Sequence, residues 1–404
     1  MLAVKPDLST KDCETLFATL KGERHIALAV SGGSDSMAML RLALQWSKSS
    51  TKLTVLTVDH GLRPEAAGEA RQVGRWCAAF GIDHHTLNWQ GLKPTTGIQA
   101  KARVARYDLL AAWCAFNQVT WLLTGHTQDD QAETVVMRQA RTNTADSLAG
   151  IWGTSKWNDV KILRPILSMR RTDLRTYLNG LDQPWIDDPS NFDETFERVR
   201  VRNSLDDARI ADLAQIAIEA GQATRALDSQ AKDWLHQYLK VMPEGFSTVD
   251  KASFCALEEA PQRRVLLQLI QFFGSGTRVD PGELDYISRW VMADGVSRRT
   301  LGGAVIACRS DVLIIAREAG RISTVPVLVP DPGEILWDGR FLVSAPPRSH
   351  VVPAGVLKDF PRRKDLPNFV QASLAAILPG DGRVVVPHIS AEPGISAKFM
   401  RCLR

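Results

Sequence analysis

Hydrophobic residues in the first half of the chain form short aliphatic runs separated by longer stretches with helical spacing. The runs predict strands at Ile26–Val30, Leu53–Val58 and Trp121–Thr124, and another near His84–Asn88. The intervening stretches predict three amphipathic helices, at Ser36–Trp46, Ala66–Phe80 and Ala100–Phe116. Such alternation is typical of parallel βαβ units. We therefore expect an α/β fold with a doubly wound, Rossmann-like parallel sheet and helices on both faces.

The pattern changes after Asp182, where two prolines and mixed charges continue to Arg202. This predicts a hinge over residues 182–204. Residues 205–239 lack proline and are rich in Ala, Gln and Leu, which predicts one long helix or two. Further helices are expected at 256–273 and 282–292, a strand begins near Leu313, and short aliphatic pairs follow Val325. The predicted domains are therefore an α/β domain (1–204), a mainly helical domain (205–324) and a small β-containing C-terminal domain (325–404).

Composition places the chain among globular proteins, since hydrophobic residues make up 45% and charged residues 23%. No apolar run approaches the ~18 residues that span a bilayer, and the first residues lack the pattern of a secretory signal. A cytoplasmic location without membrane association is expected. The six cysteines form no CxxC pair, which argues against a zinc or iron–sulfur site. The net charge of +4 permits nucleic-acid binding without requiring it.

The segment that follows the first strand has the composition of a phosphate-binding turn. Ser31-Gly32-Gly33-Ser34-Asp35-Ser36 leads directly into a predicted helix. Adjacent glycines let the backbone approach an anion, and amide groups at a helix N-terminus point towards phosphate. Asp35 is placed where a divalent cation could bridge to phosphate oxygens. The turn is not a Walker A loop, because GxxxxGK[ST] is absent.

Polar residues also follow the second and fourth strands. Because the carboxyl ends of neighbouring parallel strands line a ligand crevice, Asp59 and His60 are expected within reach of a nucleoside. The fourth strand ends in the segment Gly125-His126-Thr127-Gln128-Asp129-Asp130-Gln131-Ala132-Glu133-Thr134. A helix that starts near Gln128 would place Asp129 and Glu133 on one face, with Asp130 roughly a hundred degrees away. Acids crowded beside a phosphate site need a cation or an amine as compensation.

Two arginines on the third predicted helix add positive charge. Arg103 and Arg106 are three residues apart, which places them on one helical face. They are candidates for a clamp on phosphate or on a developing oxyanion.

Ser31–Ser36 resembles the signature of the PP-loop ATP pyrophosphatases, which cleave ATP to AMP and pyrophosphate. With DHGLRPE at 59–65, ARVARY at 102–107 and GHTQDDQAET at 125–134, the chain resembles the tRNA(Ile)-lysidine synthetase family. The segments at 164–167, 184–188 and 198–203, with Ser190 and Asn191, extend this resemblance. It is strong from about His25 to Asn203 and poor over the last ~80 residues.

The resemblance implies ATP, Mg²⁺, free L-lysine and the isoleucine tRNA with a CAU anticodon as ligands. The C2 oxygen of the wobble cytidine would be adenylated, and the lysine amine would displace AMP to leave lysidine, which changes codon reading from AUG to AUA. Its implied ATP-binding residues are the Ser31–Ser36 loop, Asp59, His60, Gly125 and His126. Asp35 and Asp130 are the implied Mg²⁺ ligands, and Asp129, Asp130 and Glu133 the implied lysine-binding residues. Asp35, Asp130, Arg103 and Arg106 are the implied catalytic residues.

Other functions remain open on the sequence. A PP-loop tRNA thiolase would need a persulfide cysteine or a cluster-binding CxxC pair, and an amidotransferase-like synthetase would need an ammonia source; the sequence shows neither pattern. A nucleotide-binding regulator without catalysis is disfavoured by the acids at 129–133. The basic candidates for tRNA contact are the segment 164–202, Arg298-Arg299 and Arg362-Arg363-Lys364. Whether the chain forms a homodimer is also open.

Overall fold

The computed structural model describes residues 10–47, 51–91, 93–141, 145–188, 193–277, 279–293, 297–309 and 311–401. Ser190 and Asn191, named above, lie outside the described residues, as does one of the six cysteines, Cys402. The chain divides into two compact units, 1–224 and 225–404. The division into three domains stays a prediction. None of the helices in the described ranges is long and apolar enough to cross a membrane.

The first unit is built on a six-stranded sheet in the order β3-β2-β1-β4-β6-β5. Five of these strands are parallel, and β5 pairs antiparallel with β6 at one edge. The strands are β1 (His25–Ala29), β2 (Lys52–Asp59), β3 (Asp83–Asn88), β4 (Trp121–Thr124), β5 (Thr154–Trp157) and β6 (Val160–Leu163). The helices are α1 (Thr10–Leu16), α2 (Ser34–Ser47), α3 (Ala66–Ala79), α4 (Ile98–Phe116), α5 (Gln128–Gln139), α6 (Ala145–Leu148), α7 (Arg171–Gly180) and α8 (Glu197–Asn203).

Helices cover both faces of this sheet, as the sequence predicts. One face packs against α1, α2, α3 and α7, and its core includes Phe17, Met37, Val73 and Leu174. The other face packs against α4 through residues such as Leu110. The doubly wound α/β fold is therefore confirmed. Because each parallel strand runs into a helix on its carboxyl side, the loops after β1, β2 and β4 meet at one edge of the sheet.

The long helix α9 (Asp207–Tyr238) begins in the first unit and ends in the second. The second unit contains a five-stranded antiparallel sheet, β7-β8-β11-β10-β9, whose core is shared with four helices, including the end of α9. Its elements are β7 (Leu239–Val241), β8 (Phe246–Asp250), α10 (Lys251–Cys255), α11 (Glu259–Phe273), α12 (Pro281–Met292), β9 (Arg298–Leu301), β10 (Ala304–Arg309) and β11 (Val312–Arg317). The helices agree with the sequence prediction. Of the sheet, only the strand near Leu313 was predicted.

The remaining residues of the second unit form two three-stranded sheets, β12-β15-β16 and β13-β14-β17. Their elements are β12 (Val327–Leu328), β13 (Glu334–Trp337), β14 (Phe341–Ser344), β15 (His350–Pro353), α13 (Asn368–Gln371), β16 (Ala375–Leu378) and β17 (Ser396–Phe399). The β content predicted for the end of the chain is confirmed.

Candidate active site

The turn between β1 and α2 is held by its own serines. Ser36 Oγ accepts a hydrogen bond from the Ser31 amide at 3.2 Å and donates to the Gly33 carbonyl at 2.9 Å. Gly32 has a φ of +93°, which L side chains rarely adopt. The backbone therefore turns sharply into the N-terminus of α2, an arrangement suited to an anion.

A later segment of the chain lies across this turn. The Ile186 amide donates to the Gly32 carbonyl at 2.9 Å. A Cβ added to Gly32 would stand 2.7 Å from Ile186 Cδ1, so the glycine is required by close packing as well as by its backbone conformation. Ile186 thereby covers the turn on the side where the chain continues to Asp188.

A cavity of about 320 Å³ opens beside the turn. Its size lies within the range of small-ligand pockets. Arg63 bridges Glu69 at 3.0 Å and Asp188 at 2.8 Å beside it. The lining residues are Ala29, Val30, Ser31, Gly33, Leu56, Thr57, Val58, His60, Leu62, Arg63, Ala66, Glu69, Ala70, Arg106, Leu110, Ile186 and Asp188.

His60 and Asp59 have different environments. His60 lines the cavity, and its Nδ1 is buried without a hydrogen-bond partner among the described residues. Burial lowers the pKa of His60, and Arg106 adds to the effect. Asp59 does not line the cavity; its Oδ1 accepts a hydrogen bond from the Gly61 amide at 2.8 Å. A neutral His60 therefore has a free ring nitrogen to offer a ligand, whereas Asp59 shapes the turn.

The two candidate arginines on α4 also separate. Arg106 lines the cavity, and burial lowers its pKa. Arg103 is exposed, does not line the cavity, and has its guanidinium 5.2 Å from the centre of the Tyr107 ring. Of this pair, Arg106 is the one placed to meet a ligand in the cavity.

Three acids meet on one arginine that was not among the predicted site residues. Arg171 donates from Nε to Asp35 Oδ2 at 2.9 Å and from Nη2 to Asp130 Oδ1 at 3.2 Å. Its Nη1 lies 3.6 Å from Glu133 Oε1. Asp35 belongs to the first turn of α2 and Asp130 to that of α5, while Arg171 is the first residue of α7. The structure thus brings together three acids from two loops around a single guanidinium.

Burial and charge work against each other in this cluster. Burial raises the pKa of Asp35, and the Arg171 guanidinium offsets only part of this rise. Burial also acts to raise the pKa of Asp130, but Arg171 and Arg198 outweigh it and hold that pKa below its usual value. For Arg171 burial opposes the charge, yet the surrounding carboxylates raise its pKa further above the ordinary value. Arg171 and Asp130 therefore favour each other's charged forms, whereas burial works against the charge of Asp35.

Glu133 and Asp129 have different partners. Glu133 is 1% exposed and accepts hydrogen bonds at 2.7 Å from both Arg198 and Arg202 on α8. Asp129 instead accepts from the Arg171 amide at 2.8 Å and thereby caps α7. Helix α5 begins at Gln128 as predicted, which leaves Asp129 and Glu133 four residues apart on it, but the acid that joins Glu133 on Arg171 is Asp130.

Gly125 and His126 lie behind the phosphate turn. A Cβ on Gly125 would stand 3.0 Å from the backbone of Asp35 and Ser36, so this glycine allows β4 to approach the start of α2. His126 Nδ1 lies 3.1 Å from Thr124 Oγ1, and burial lowers the pKa of His126 to about 3. His126 is therefore neutral, and neither residue lines the cavity.

Arg175, one turn after Arg171, also reaches the phosphate turn. Its Nε donates to Ser34 Oγ at 3.4 Å and its Nη2 to Asp187 at 3.2 Å. Sequence reasoning placed 164–202 at the tRNA backbone and did not connect it with the acids. The only available signal was the number of arginines that follow the acid-rich helix.

The fold and the site define a class of protein. A phosphate turn with the sequence SGGSDS between β1 and α2 of a doubly wound sheet is typical of PP-loop proteins. A family model described as the PP-loop domain matches residues 7–208. A tRNA(Ile)-lysidine synthase from Rhizobium meliloti (strain 1021) is 33% identical over 93% of this chain and 84% of its own length. Synthases of the same name from Mesorhizobium japonicum and Rhodopseudomonas palustris are 36% and 37% identical, over 84% and 76% of this chain and 76% and 94% of their own lengths. The chain belongs to the tRNA(Ile)-lysidine synthase family, and it is an ATP-dependent ligase.

Proposed function

We propose that this chain joins free L-lysine to C2 of the wobble cytidine in the isoleucine tRNA with a CAU anticodon. The C2 oxygen of the base attacks the α-phosphorus of ATP and releases pyrophosphate. The side-chain amine of lysine then attacks C2 and releases AMP, which leaves lysidine. The observation that carries this proposal is the cluster of Asp35, Asp130 and Glu133 on Arg171, next to the phosphate turn and a nucleoside-sized cavity.

The first step needs ATP in a fixed orientation. We assign its phosphates to the Ser31–Ser36 turn, which leads into the N-terminus of α2. The nucleoside occupies the cavity, where His60 Nδ1 lacks a partner among the described residues and Ile186 closes one side. Arg106 also faces the cavity, and its charge offsets the negative charge that develops at the α-phosphate. This family uses ATP, and these contacts support its placement.

Asp35 and Asp130 fit a Mg²⁺ ion by the chemistry of their donors. Mg²⁺ is commonly held by one or two carboxylates together with substrate phosphates. Within the described ranges no group of three or more His, Cys, Asp and Glu side chains could hold a metal alone, so phosphates would complete the shell. When bound, the ion would neutralise phosphate charge and ease the departure of pyrophosphate. Arg171 neutralises the same two carboxylates in this structure.

The second step needs a neutral amine held against C2. Carboxylates can orient an ammonium and then release it as a free amine if they do not bind its proton too firmly. Asp130 and Glu133 are the acids next to the phosphate turn that can do this. Asp129 is engaged in capping α7, so we assign it a supporting role. Lysine binding therefore competes with Arg171, Arg198 and Arg202 for these acids.

The environments of the cysteines disfavour sulfur transfer, the alternative function left open by the sequence. Cys77 and Cys114 are fully buried, and burial raises their pKa values to about 11 and about 12. A persulfide carrier needs an accessible thiolate. None of the described cysteines lines the cavity.

The test is incorporation of labelled lysine into tRNA with ATP present. We expect label to be retained on one isoleucine tRNA, with one AMP released per lysine. Asp35→Asn should abolish incorporation, while Asp146→Asn, an acid on α6 away from the turn, should not. If the wild-type chain releases AMP without lysine joining tRNA, or if Asp35→Asn is fully active, the proposal is wrong.

A further inference from the structure

An aromatic side chain lies just outside the cavity, at the carboxyl edge of the sheet. Trp89 directly follows β3, and its amide donates to the Asp59 carbonyl at 2.9 Å. Its ring meets the His60 ring edge to face, with centroids 5.9 Å apart. His60 lines the cavity and Trp89 does not. Trp89 therefore lies outside the proposed nucleoside site, next to the His60 ring that lines it, at the end of the edge strand β3.

One face of the Trp89 ring is covered by a cation. Lys93 Nζ lies 4.3 Å from the ring centre and donates to the Trp89 carbonyl. A cation over an indole is held by the electron-rich ring face. The aliphatic end of Lys93 also lies close to Gly61, where a Cβ would be 3.7 Å from its Cε. This cover consists of one flexible side chain.

Helix α4 reaches the same cavity through Arg106, and its first two turns are basic and exposed. Ile98 and Val104 are 41% and 48% exposed, although they are apolar. Lys101 and Arg103 are exposed on the same two turns. Exposed basic and apolar side chains on this helix, with an indole against the cavity-lining His60, are groups that bind single-stranded nucleic acid, because bases stack on aromatic rings and phosphates meet cations.

We propose that Trp89 is a stacking platform for an unpaired base of the RNA substrate, and that Lys93 covers this platform until RNA binds. This proposal rests on the proposed function, since it needs an anticodon loop at the cavity. The modified cytidine must enter the site as a splayed base, which leaves its neighbours in the loop unstacked. Trp89 replaces the lost stacking for one of them. Lys93, once displaced from the ring, contacts the backbone phosphate beside that base.

The experiment measures binding of a labelled CAU-anticodon stem-loop to the full chain at fixed ionic strength. Trp89→Ala should weaken binding roughly 5- to 100-fold, the usual effect of losing one base–aromatic stack, while ATP affinity stays unchanged. Trp89→Phe should retain most of the binding, because a smaller ring still stacks. Phe116→Ala is the matched control: Phe116 ends α4, is 88% exposed, and should have no effect.

A second series identifies the base. Stem-loops that each carry one abasic nucleotide in the loop, other than at the target cytidine, are bound to wild type and to Trp89→Ala. We expect one abasic position to weaken wild-type binding and to cause no further loss in the variant, as a double-mutant cycle requires for interacting groups. If each abasic stem-loop loses affinity by the same factor for wild type and for Trp89→Ala, Trp89 does not stack an RNA base. A loss of ATP affinity in Trp89→Ala would instead assign the ring to adenine and overturn the proposal.

Different results would contradict the stacking platform and the proposed function. If wild type binds the stem-loop and incorporates lysine but Trp89→Ala does both equally well, only the platform is wrong. If wild type neither binds the stem-loop nor incorporates lysine, the proposed function itself is wrong. Lys93→Gln gives an independent readout, because it should lower the salt dependence of RNA binding by roughly one phosphate contact. An unchanged salt slope would contradict the role given to Lys93.

Discussion

Arg171 Nε donates to Asp35 Oδ2 at 2.9 Å, and this bond joins the first turn of α2 to the first residue of α7. Asp130, in the first turn of α5, accepts a hydrogen bond from Arg171 Nη2 at 3.2 Å. Three helix N-termini, each with a partial positive charge, therefore converge on an acid cluster. The repulsion between the carboxylates is offset by the partial positive charge of the helix N-termini and by the charge of the Arg171 guanidinium.

Replacing this guanidinium should destabilise the first unit. Arg171 is about as buried as the acids it joins, so Arg171→Gln should lower the free energy of unfolding by about 3–5 kcal/mol. Mg²⁺ should restore part of this loss, because a divalent ion can take over the neutralisation and stabilises the state that binds it. The measurement is urea unfolding with and without MgCl₂.

The control for Arg171 is an exposed ion pair in the same unit. Arg141 pairs with Glu197 at 3.3 Å, with 71% and 44% of the side chains exposed. Arg141→Gln should change stability by less than about 1 kcal/mol and should not respond to MgCl₂. Equal losses in both variants, or an equal Mg²⁺ response, would contradict the role given to Arg171.

Much of the first unit could be predicted from the sequence because its signals are local. The buried strand Ile26–Val30 and the helix that follows Gly33 are visible as a run and a periodicity, and so the phosphate turn between them is visible too. The β5–β6 hairpin was not predicted, because Thr154–Trp157 contains no fully buried residue and so lacks the alternating apolar pattern that predicts a strand. The antiparallel sheet of the second unit was mostly missed for a related reason: its strands are short and lie among stronger helical signals.

The acids of the site could be predicted, whereas their partners could not. Asp35, Asp130 and Glu133 follow strands directly, so the topology of a parallel sheet brings them to one edge. Arg171 lies 41 residues after Asp130 and 136 after Asp35 in sequence. Only the packing of α7 against α2 brings it to the acids. Helical spacing places Asp129 and Glu133 on one face of α5 but does not show which partner each acid binds.

Asp130 and Glu133 should differ in what they contribute. Glu133 is more buried than Asp130 and forms ion pairs with Arg198 and Arg202. Glu133→Gln should therefore lower the free energy of unfolding by about 2 kcal/mol. This value is reduced because the two arginines are partly exposed. Asp130→Asn should cost less stability and should raise the KM for lysine more. Unfolding curves and lysine-dependent AMP release measure the two effects. A larger rise in lysine KM for Glu133→Gln would reverse the assignment.

The phosphate turn should not tolerate a side chain at position 32. Gly32→Ala places a Cβ at a φ of +93° and 2.7 Å from Ile186 Cδ1, so ATP affinity should fall at least tenfold. Ile186→Val removes that Cδ1 and should restore part of the affinity, while the backbone cost of about 1–2 kcal/mol remains. Gly180→Ala is the control, because a Cβ there meets nothing within 4 Å. Full activity of Gly32→Ala would show that the turn opens without cost.

The buried thiols should be unreactive in the folded protein. A thiol whose pKa is raised to about 11 is ionised to about one part in a thousand at pH 8, and Cys114, at about 12, less still. Iodoacetamide at pH 8 should therefore leave Cys77 and Cys114 unmodified until urea unfolds the chain, while the half-buried Cys255 reacts earlier. Peptide mass mapping gives the extent of labelling for each cysteine. Rapid native labelling of Cys77 or Cys114 would reopen the case for sulfur chemistry.

The two basic clusters of the second unit should differ in their effect on RNA. Arg363 is held by Glu244 at 3.0 Å and by the His388 carbonyl at 2.9 Å, so Arg363→Gln should lower stability and leave the salt dependence of tRNA binding unchanged. Arg298 and Arg299 are exposed on β9, an edge strand. Replacing both with Gln should weaken tRNA binding and reduce the slope of log Kd against log salt by roughly 1.4 to 1.8, since each phosphate contact contributes about 0.7 to 0.9. Titrations between 50 and 200 mM salt, concentrations chosen to span the steep range, measure the slope. If the Arg363 variant alone lowers it, the RNA surface of this unit lies near Glu244 instead of on β9.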